Sequence, residues 1–473
     1  MRMKEMKTIM GLELHVHLLT KSKFFCSCST DYEGKEPNSV TCPVCLGFPG
    51  SKPKVNKKAI DFGIMVAKAL NCRINPSMFF SRKSYFYPDM PKNFQISQYE
   101  IPLANEGYLE ITGKKIRIRR VHLEEDPARL QHVGGDISSA QYVLVDYNRS
   151  GMPMVEIVTE PDFNSTKEVR EFLSKLTSIL EHLEVYDASK EASLRVDANI
   201  SMEGGERTEI KNITGFANVE KALNYEIVRQ KNLVNMGMKV QRETRHFDAA
   251  SRMTVSLRKK EFEEDYGYIF EPDLTRITIG REWIAALEKH MPELPDARIE
   301  RFVKEYKLQE PDAKVIVYVD KALADFFEEC AKIYKNKNPK TVARWIVTDL
   351  LKCLNYQNVR IRESKVKPQT FIELLKLIDA GKITERLAKE IIKEYAATGV
   401  SPAAIVERKG LTLVDNAKLA AAVKKTIEAN PQAVKDIKAG KEKAVQFLIG
   451  QVLREIKARA DPAEVEKLIK ELI

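Results

Sequence analysis

The sequence predicts an α+β protein: a cradle built on a large, mostly antiparallel sheet with flanking helices, then an all-α helical region, then a small all-α tail. Three observations predict it. Strands with strict apolar–polar alternation recur through the first half of the chain. Strand signals almost cease from about Ile279. Beyond that point apolar residues fall at helical spacing between prolines and glycines. The expected domains are residues 1–290, 291–402 and 403–473. A chain of 473 residues has room for a core of this size without disulfides.

Gly11–Leu18, reading Gly-Leu-Glu-Leu-His-Val-His-Leu, is the strand around which the rest is organised. Side chains alternate along an extended chain, so Leu12, Leu14, Val16 and Leu18 point to one side and Glu13, His15 and His17 to the other. One face is a core strip. The other sets a carboxylate beside imidazoles, a ligand set for a divalent cation and, through it, nucleotide phosphates.

Two short knuckles follow, Cys26-Ser-Cys28 and Cys42-Pro-Val-Cys45, holding four of the seven cysteines; Cys72, Cys330 and Cys353 are scattered. Two thiolate pairs suit tetrahedral zinc, and four protein ligands leave it no open position, so the expected role is structural. Zinc there pins the loop that leads to a helix around Ala59–Leu70. Gly47 and Gly50 supply the tight turns after the second pair. Ser81–Leu103 then interleaves Arg82, Lys83, Tyr85, Tyr87, Lys92 and Phe94 with prolines. Such a stretch stacks a base and holds phosphates, or anchors a surface loop to the core. Arg82, Lys83, Tyr85 and Tyr87 are its candidate nucleotide- or substrate-binding residues.

Further strands carry further carboxylates. Lys115–Val121 runs into His122-Leu-Glu124-Glu125-Asp126 and stops at Pro127; Gln141–Tyr147 is apolar; Met154–Pro161 places Glu156 opposite Val155 and Ile157. Leu194–Ile200 sets Arg195, Asp197 and Asn199 against Val196 and Ala198, and Thr208–Ile213 carries Glu209 and Lys211. That many hard oxygen ligands suit magnesium, which neutralises phosphates for an in-line transfer. An acidic face merely left wet would repel itself without compensation. No Gly-x-x-x-x-Gly-Lys-Ser/Thr occurs, so a nucleotide is held by metal and side chains rather than by a P-loop. The alternation leaves open which of Glu124 and Glu125 points inward.

Two helices interrupt the strands. Ser165 and Glu168 form a capping box for one that runs to Leu183, and the other spans Asn218–Met236. Thr244–Phe247 and Thr254–Leu257 read as a hairpin that brings Arg242, Arg245, Arg258 and Lys259 toward the acids, as salt bridges or as phosphate clamps. Glu261–Leu274, with Tyr266, closes the first domain. The helical region follows, with longer helices at Ala322–Tyr334 and Val342–Leu354, a linker at Lys365–Pro368 and a break at Gly399–Pro402. In the tail Gly440 ends a helix, and Ala444, Phe447, Leu448, Val452 and Ile456 make an apolar stripe. Gly450 sits mid-helix, where close packing or a partner backbone offsets its cost of about 1 kcal/mol. Lys441, Lys443 and Arg454 face solvent or a nucleic-acid backbone.

Lys plus Arg number 77 against 67 for Asp plus Glu, a net charge of +10, which fits an anionic partner such as RNA. No apolar run reaches the roughly 18 residues of a membrane span. The basic start is interrupted by Glu13 and His15, so no leader is expected and the protein reads as cytoplasmic.

The ordered set Gly11-Leu-Glu-Leu-His15, Arg82-Lys-Ser-Tyr-Phe-Tyr-Pro-Asp89, Gln95-Ile-Ser-Gln98, His122-Leu-Glu-Glu-Asp126, Val155-Glu-Ile-Val-Thr-Glu-Pro-Asp162, Leu194-Arg-Val-Asp-Ala-Asn199, Gly440-Lys-x-Lys443 and Gly450-Gln451 resembles the B-subunit family of the aspartyl/glutamyl-tRNA amidotransferases. The resemblance covers essentially the whole chain. It implies a catalytic cradle, a helical domain and a tail that grips tRNA through Lys441, Lys443, Gln451 and Arg454. The implied reaction is phosphorylation of the side-chain carboxylate of Glu on tRNA(Gln), or Asp on tRNA(Asn), with ATP and magnesium. Ammonia from a glutaminase A subunit then displaces the phosphate, and a small C subunit completes a heterotrimer. Glu13, His15, Glu125 and Glu156 are the implied catalytic positions. Magnesium ligands are Glu13, His15, Glu124 or Glu125, and Glu156, with Asp197 and Glu209 as a second group. Only some members of the family carry the zinc knuckle, which agrees with a structural role. The related E subunits insert a synthetase-like domain where Leu274 here passes almost directly to helix.

Two other readings are distinguishable. A non-catalytic, zinc-containing tRNA-binding protein has no use for the clustered carboxylates. A free-standing amide ligase needs its own glutaminase centre, and no nucleophilic Cys–His or Ser–Lys arrangement supplies one.

Overall fold

A computed structural model describes residues 7–473 apart from 135–139, 191–192, 203–204, 260–266, 336, 412–415, 439–440 and 457–459; the side chains of residues 258, 259, 416 and 442 are likewise not described. The expectations for Tyr266 and Gly440, and for the side chains of Arg258 and Lys259, lie outside the described residues. The chain forms two compact units, residues 1–295 and 296–473.

The strands of the first unit are β1 (Thr8–His17), β2 (Arg73–Ile74), β3 (Ser77–Met78), β4 (Ser81–Ser84), β5 (Phe94–Ser97), β6 (Ala104–Ile111), β7 (Lys114–Glu125), β8 (Arg129–Val133), β9 (Tyr142–Asp146), β10 (Pro153–Thr159), β11 (Leu194–Met202), β12 (Thr208–Thr214), β13 (Glu243–Asp248), β14 (Met253–Lys259), β15 (Gly267–Phe270) and β16 (Ile277–Thr278). Its helices are α1 (Lys57–Ala69), α2 (Thr166–His182), α3 (Phe216–Asn235) and α4 (Arg281–Glu288). Nine strands make the main sheet in the order β14-β13-β12-β11-β1-β10-β7-β6-β2. β1 is the middle strand, antiparallel to both β10 and β11, and β12 runs parallel to β13.

The alternation in β1 decides which face is which. Leu12, Leu14 and Val16 are buried with Ile157, Val196 and Ala198, and α1, α2 and α3 supply the other half of this core. Removing that apolar area from water drives the layer together, at about 25 cal/mol per Å². Gly63 lets α1 approach: a Cβ there would lie 2.9 Å from Leu123 of β7. Ser165 caps α2, its Oγ accepting the Glu168 N–H at 3.3 Å.

Some elements gave little sequence signal. The alternation of β6 is broken where Glu106 takes a left-handed φ of 56° beside Gly107. The Ser81–Leu103 stretch is less irregular than its prolines suggest, because β4 pairs with β5 on one side and β15 on the other in a three-stranded sheet. The apolar Gln141–Tyr147 segment does not enter the main sheet; as β9 it pairs with β8 and leaves Tyr142, Val143 and Leu144 exposed.

The second unit is helical: α5 (Pro295–Glu305), α6 (Glu310–Val319), α7 (Lys321–Ile333), α8 (Pro339–Trp345), α9 (Leu351–Gln357), α10 (Pro368–Asp379), α11 (Glu385–Thr398), α12 (Pro402–Lys409), α13 (Asn416–Ala429), α14 (Pro431–Lys438), α15 (Glu442–Glu455) and α16 (Pro462–Leu472). The single helix expected over Val342–Leu354 is α8 and α9 joined by a π-helical turn at Ile346–Leu350. Lys365–Pro368 is anchored rather than loose: Val366 is buried, and the Lys367 N–H donates to Tyr395 Oη at 2.8 Å. One apolar core spans Ile299 to Val406 and a second Leu419 to Ile469. An edge at residues 402/403 therefore falls inside α12, whose Ile405 and Val406 pack in the earlier core. In α15, Ile449 and Leu453 join Leu448, Val452 and Ile456 in the second core, and Phe447 is exposed. Gly450 is exposed too, and a Cβ there would meet nothing within 4 Å. Its expected close packing is not found among the described residues.

Candidate active site on the polar face of the sheet

Register builds the site. Glu13 pairs with Asp197 of β11, His15 with Glu156 of β10, Glu156 in turn with His122 of β7, and Met154 with Glu124. Directly opposed residues share a face, so the acids of five strands converge on the side of the sheet away from the α1–α3 core. Two trios of ligand atoms result, His15/Glu124/Glu156 and Glu13/Asp197/Glu209, the atoms of each within 4.8 Å of one another.

In the first trio Glu156 Oε2 lies 3.4 Å from His15 Nε2 and 2.9 Å from His122 Nε2, and Glu124 Oε1 lies 3.7 Å from His15 Nε2. Burial disfavours charge on His15, but the Glu156 carboxylate, with Glu124 and Asp197 behind it, outweighs burial and raises the imidazole to about 9. Burial likewise opposes charge on Glu156, and the two imidazoles hold its carboxyl well below the usual range. Ser97 Oγ of β5 donates to Glu124 Oε2 at 3.1 Å.

In the second trio Asn199 Nδ2 donates to Glu13 Oε1 at 2.9 Å, and Thr244 Oγ1 donates to Glu209 Oε2 at 3.2 Å. Burial, together with the Glu156, Asp197 and Glu209 carboxylates, pushes the Glu13 carboxyl up. Mutual repulsion of this kind is relieved by a cation. Carboxylate oxygens are the hard donors magnesium takes, so Glu13/Asp197/Glu209 fits it by chemistry and by closeness; His15/Glu124/Glu156 offers two such oxygens and one softer imidazole nitrogen, a set that takes a divalent cation less exclusively.

Glu124 and Glu125 separate. Glu125 turns to the other side, where its Oε1 accepts the Ile96 N–H at 3.0 Å and pairs with the Lys92 ammonium. It is not brought to either trio. Arg82 is likewise elsewhere, in the three-stranded sheet: it pairs in two-pronged fashion with Glu271 at 2.7 and 2.8 Å, stacks on Phe94, and helps wall a cavity of about 180 Å³ beside the cysteine knuckle. Lys83 Nζ sits 6.0 Å from the Tyr85 ring centre, and Tyr87 is half exposed. Arg245 shares the face of Ile210, opposite Glu209, and is engaged by Glu226 of α3 at 3.0 Å and Glu243 at 2.8 Å. It is a buried structural partner there, which corrects its expected approach to the acidic set.

The four cysteine sulfurs also lie within 4.8 Å of one another. Gly47 and Gly50 take the positive φ values, 69° and 82°, that the turns after Cys45 need. The Lys23 ammonium, fully buried, lies 3.6 Å from Cys45 Sγ; a hydrogen bond from Cys26 and this cation pull the Cys45 thiol down to about 4. Four thiolates in two pairs are a closed tetrahedral donor set that fits zinc. In the tail Lys441, Lys443 and Arg454 are exposed, Gln451 is half-buried, and Lys441 pairs with Asp436 at 2.9 Å.

Residues 8–285 match the family model described as the GatB/GatE catalytic domain, and residues 325–473 match the one described as GatB domain. The B subunit of the aspartyl/glutamyl-tRNA(Asn/Gln) amidotransferase of Thermotoga maritima is 48% identical, covering 99% of both chains. Its namesake in Saccharolobus solfataricus is 47% identical over 97% of this chain and 98% of its own, and that of Carboxydothermus hydrogenoformans 45% over 99% of both. The chain belongs to the GatB/GatE family. As an amidotransferase B chain it is one component of a ligase-class enzyme of several subunits. No helix among its described residues is long and apolar enough to cross a membrane.

Several residues of this GatB-family chain carry roles that local spacing did not assign. His122 bridges Glu156 and Glu124, and its parity with Glu124, two residues on, was the available signal. Asp126 is fully enclosed: His17 Nε2 lies 2.6 Å from it, Arg195 donates at 2.5 Å, and Arg149 lies 3.3 Å away. Burial opposes its charge, and the two guanidiniums still hold it far below the ordinary range. Nothing in local spacing announces that network, because Arg149 reaches it from a loop.

Proposed function

We propose that this chain phosphorylates the side-chain carboxylate of glutamate on tRNA(Gln), of aspartate on tRNA(Asn), or of both, with ATP and magnesium, and completes the amide with ammonia delivered by a glutaminase partner. The observation that carries the proposal is the pair of trios across β1, with Glu13 in one and His15 in the other. Neighbouring same-face residues of a strand are about 7 Å apart, a span that suits a transferring phosphoryl group held between two cation sites. His15, Glu124 and Glu156 would hold one magnesium and Glu13, Asp197 and Glu209 another. Bound there, magnesium neutralises phosphate oxygens and stabilises charge as the γ-phosphoryl passes to the carboxylate. The residues themselves fix ligand orientation through Ser97, Asn199 and Thr244. ADP leaves, ammonia attacks the acyl carbon, and inorganic phosphate departs as the amide forms.

The names of the relatives support tRNA substrates and a multi-subunit assembly; the partners are a glutaminase A subunit and a small C subunit in a heterotrimer. Zinc on Cys26, Cys28, Cys42 and Cys45 is structural. The cradle, helical and tail domains divide the work, with the tail's Lys441, Lys443, Gln451 and Arg454 on the tRNA body, in a cytoplasmic enzyme.

The test is ATP hydrolysis by the purified chain with magnesium and ammonium chloride, which bypasses the glutaminase. Mischarged Glu-tRNA(Gln) or Asp-tRNA(Asn) should stimulate it and yield amide, and correctly charged tRNAs should not. Equal hydrolysis with every tRNA, or tRNA binding with no hydrolysis even after the A and C subunits are added, would overturn the proposal.

A further inference from the structure

Asp197 stands opposite a bulge. Pairing of β11 with β12 slips between Val196 and Ala198, matching Val196 to Ile213 and Ala198 to Ile210, so Lys211 and Asn212 together face Asp197. Asn212 takes a left-handed φ of 56° there, the local twist a bulge demands. One carboxylate is thereby held from two sides: the Asn212 N–H donates to Asp197 Oδ1 at 2.7 Å and Lys211 Nζ donates to Oδ2 at 3.1 Å. Lys211 Nζ also lies 3.6 Å from Glu209 Oε1, while Asn199 and Thr244 orient Glu13 and Glu209 from behind.

We propose that Lys211 is a built-in placeholder for the divalent cation of the Glu13/Asp197/Glu209 trio: its ammonium, on Asp197 and Glu209, offsets part of the trio's charge until the ion enters, then swings off toward the open face of the sheet. The proposal rests on the metal reading of that trio. Three carboxylates this close do not stay ionised together without a cation. An ammonium and a divalent ion compete for the same oxygens, and like charges do not share them. A lysine suits the task better than an arginine, being a point charge on a flexible stem, and about a third of the Lys211 side chain is exposed, which gives it a way out. The other trio is built differently. Its cationic neighbours are imidazoles, and His15 is itself one of the ligands, so a cation entering there displaces a proton rather than a side chain. Once released, the Lys211 charge stands beside the trio on the face where a phosphate or carboxylate of substrate would lie.

Two measurements on the full chain test this. In amine acetylation read by mass spectrometry, Lys211 of the wild-type protein should react about tenfold faster with saturating magnesium chloride than without it. Lys470, paired with Glu466 far along the chain, should not change. In calorimetric titration with magnesium chloride, Lys211→Met should bind at this trio about tenfold more tightly than wild type, and Lys211→Arg no more tightly. Magnesium binding that leaves Lys211 reactivity unchanged, or equal or weaker binding by a folded Lys211→Met, would overturn the placeholder role and leave the metal reading standing. Absence of any magnesium or manganese binding at the trio would overturn both. Should Lys211→Met fail to fold, the wild-type acetylation decides alone.

Discussion

Glu124 and Glu125 are adjacent in β7 and serve opposite sides of the sheet: Glu124 Oε1 lies 3.7 Å from His15 Nε2, whereas Glu125 Oε1 accepts the Ile96 N–H at 3.0 Å and pairs with Lys92. Glu124→Gln is expected to abolish magnesium-dependent phosphoryl transfer with little change in melting temperature. Glu125→Gln should do the reverse in its leading effect, lowering stability by about 3 kcal/mol through the stranded Lys92 charge while keeping magnesium affinity. Denaturant melts and calorimetric titration of the two variants separate these outcomes; equal loss of magnesium binding in both would contradict the division.

Metal analysis of the purified chain should return about one zinc per chain. Chelation should expose the Cys26–Cys45 loop to protease and lower the melting temperature, because the loop between β1 and α1 loses its closure. Cys45→Ser should resemble chelation. Full protease resistance after complete zinc removal would show that hydrogen bonds alone hold the loop.

Asp126 should be intolerant of neutralisation. Asp126→Asn leaves Arg149 and Arg195 buried against each other without their shared anion, and the expected loss is about 3–5 kcal/mol, read from urea denaturation. Restoration in an Asp126→Asn, Arg149→Met double variant would identify charge rather than shape as the cause.

The helical unit should carry its own acid sensitivity. Glu328 accepts hydrogen bonds from Arg298 at 2.6 Å and Arg301 at 2.7 Å; burial opposes its charge, but the two guanidiniums outweigh burial and hold it below its usual 4.5. A carboxyl depressed on folding stabilises the fold above its unfolded value and loses that contribution as pH falls through the folded one. Glu328→Gln should therefore melt earlier than wild type at pH 7, and the gap should close as pH is lowered below about 4.5. A gap independent of pH would point to packing instead.

The alternation of Gly11–Leu18 was enough to place Glu13 and His15 on a polar face, and period-two spacing did the same for Glu156 and Asp197. Capping and periodicity located α2 within two residues of its observed ends. Prolines misled the expectation for Ser81–Leu103, since β4 and β5 are short and the pairing of β4 with β15 joins segments far apart in sequence. The turn of Arg245 onto the helix-covered face, away from the acids, depended on parallel pairing of β13 with β12, which no local pattern specifies.

By itself, the sequence determined the chemistry available: which strands carry carboxylates, that four thiols form two pairs, that strands give way to helices, and which family the ordered motifs resemble. These are properties of local period and residue type. Only the tertiary structure decided the grouping of Glu13 with Asp197 and Glu209, the choice of Glu124 over Glu125, and the bulge that presses Lys211 onto Asp197. Register between strands is fixed by which side chains the shared core buries, and a shift of one residue would turn every one of these groups to the other face.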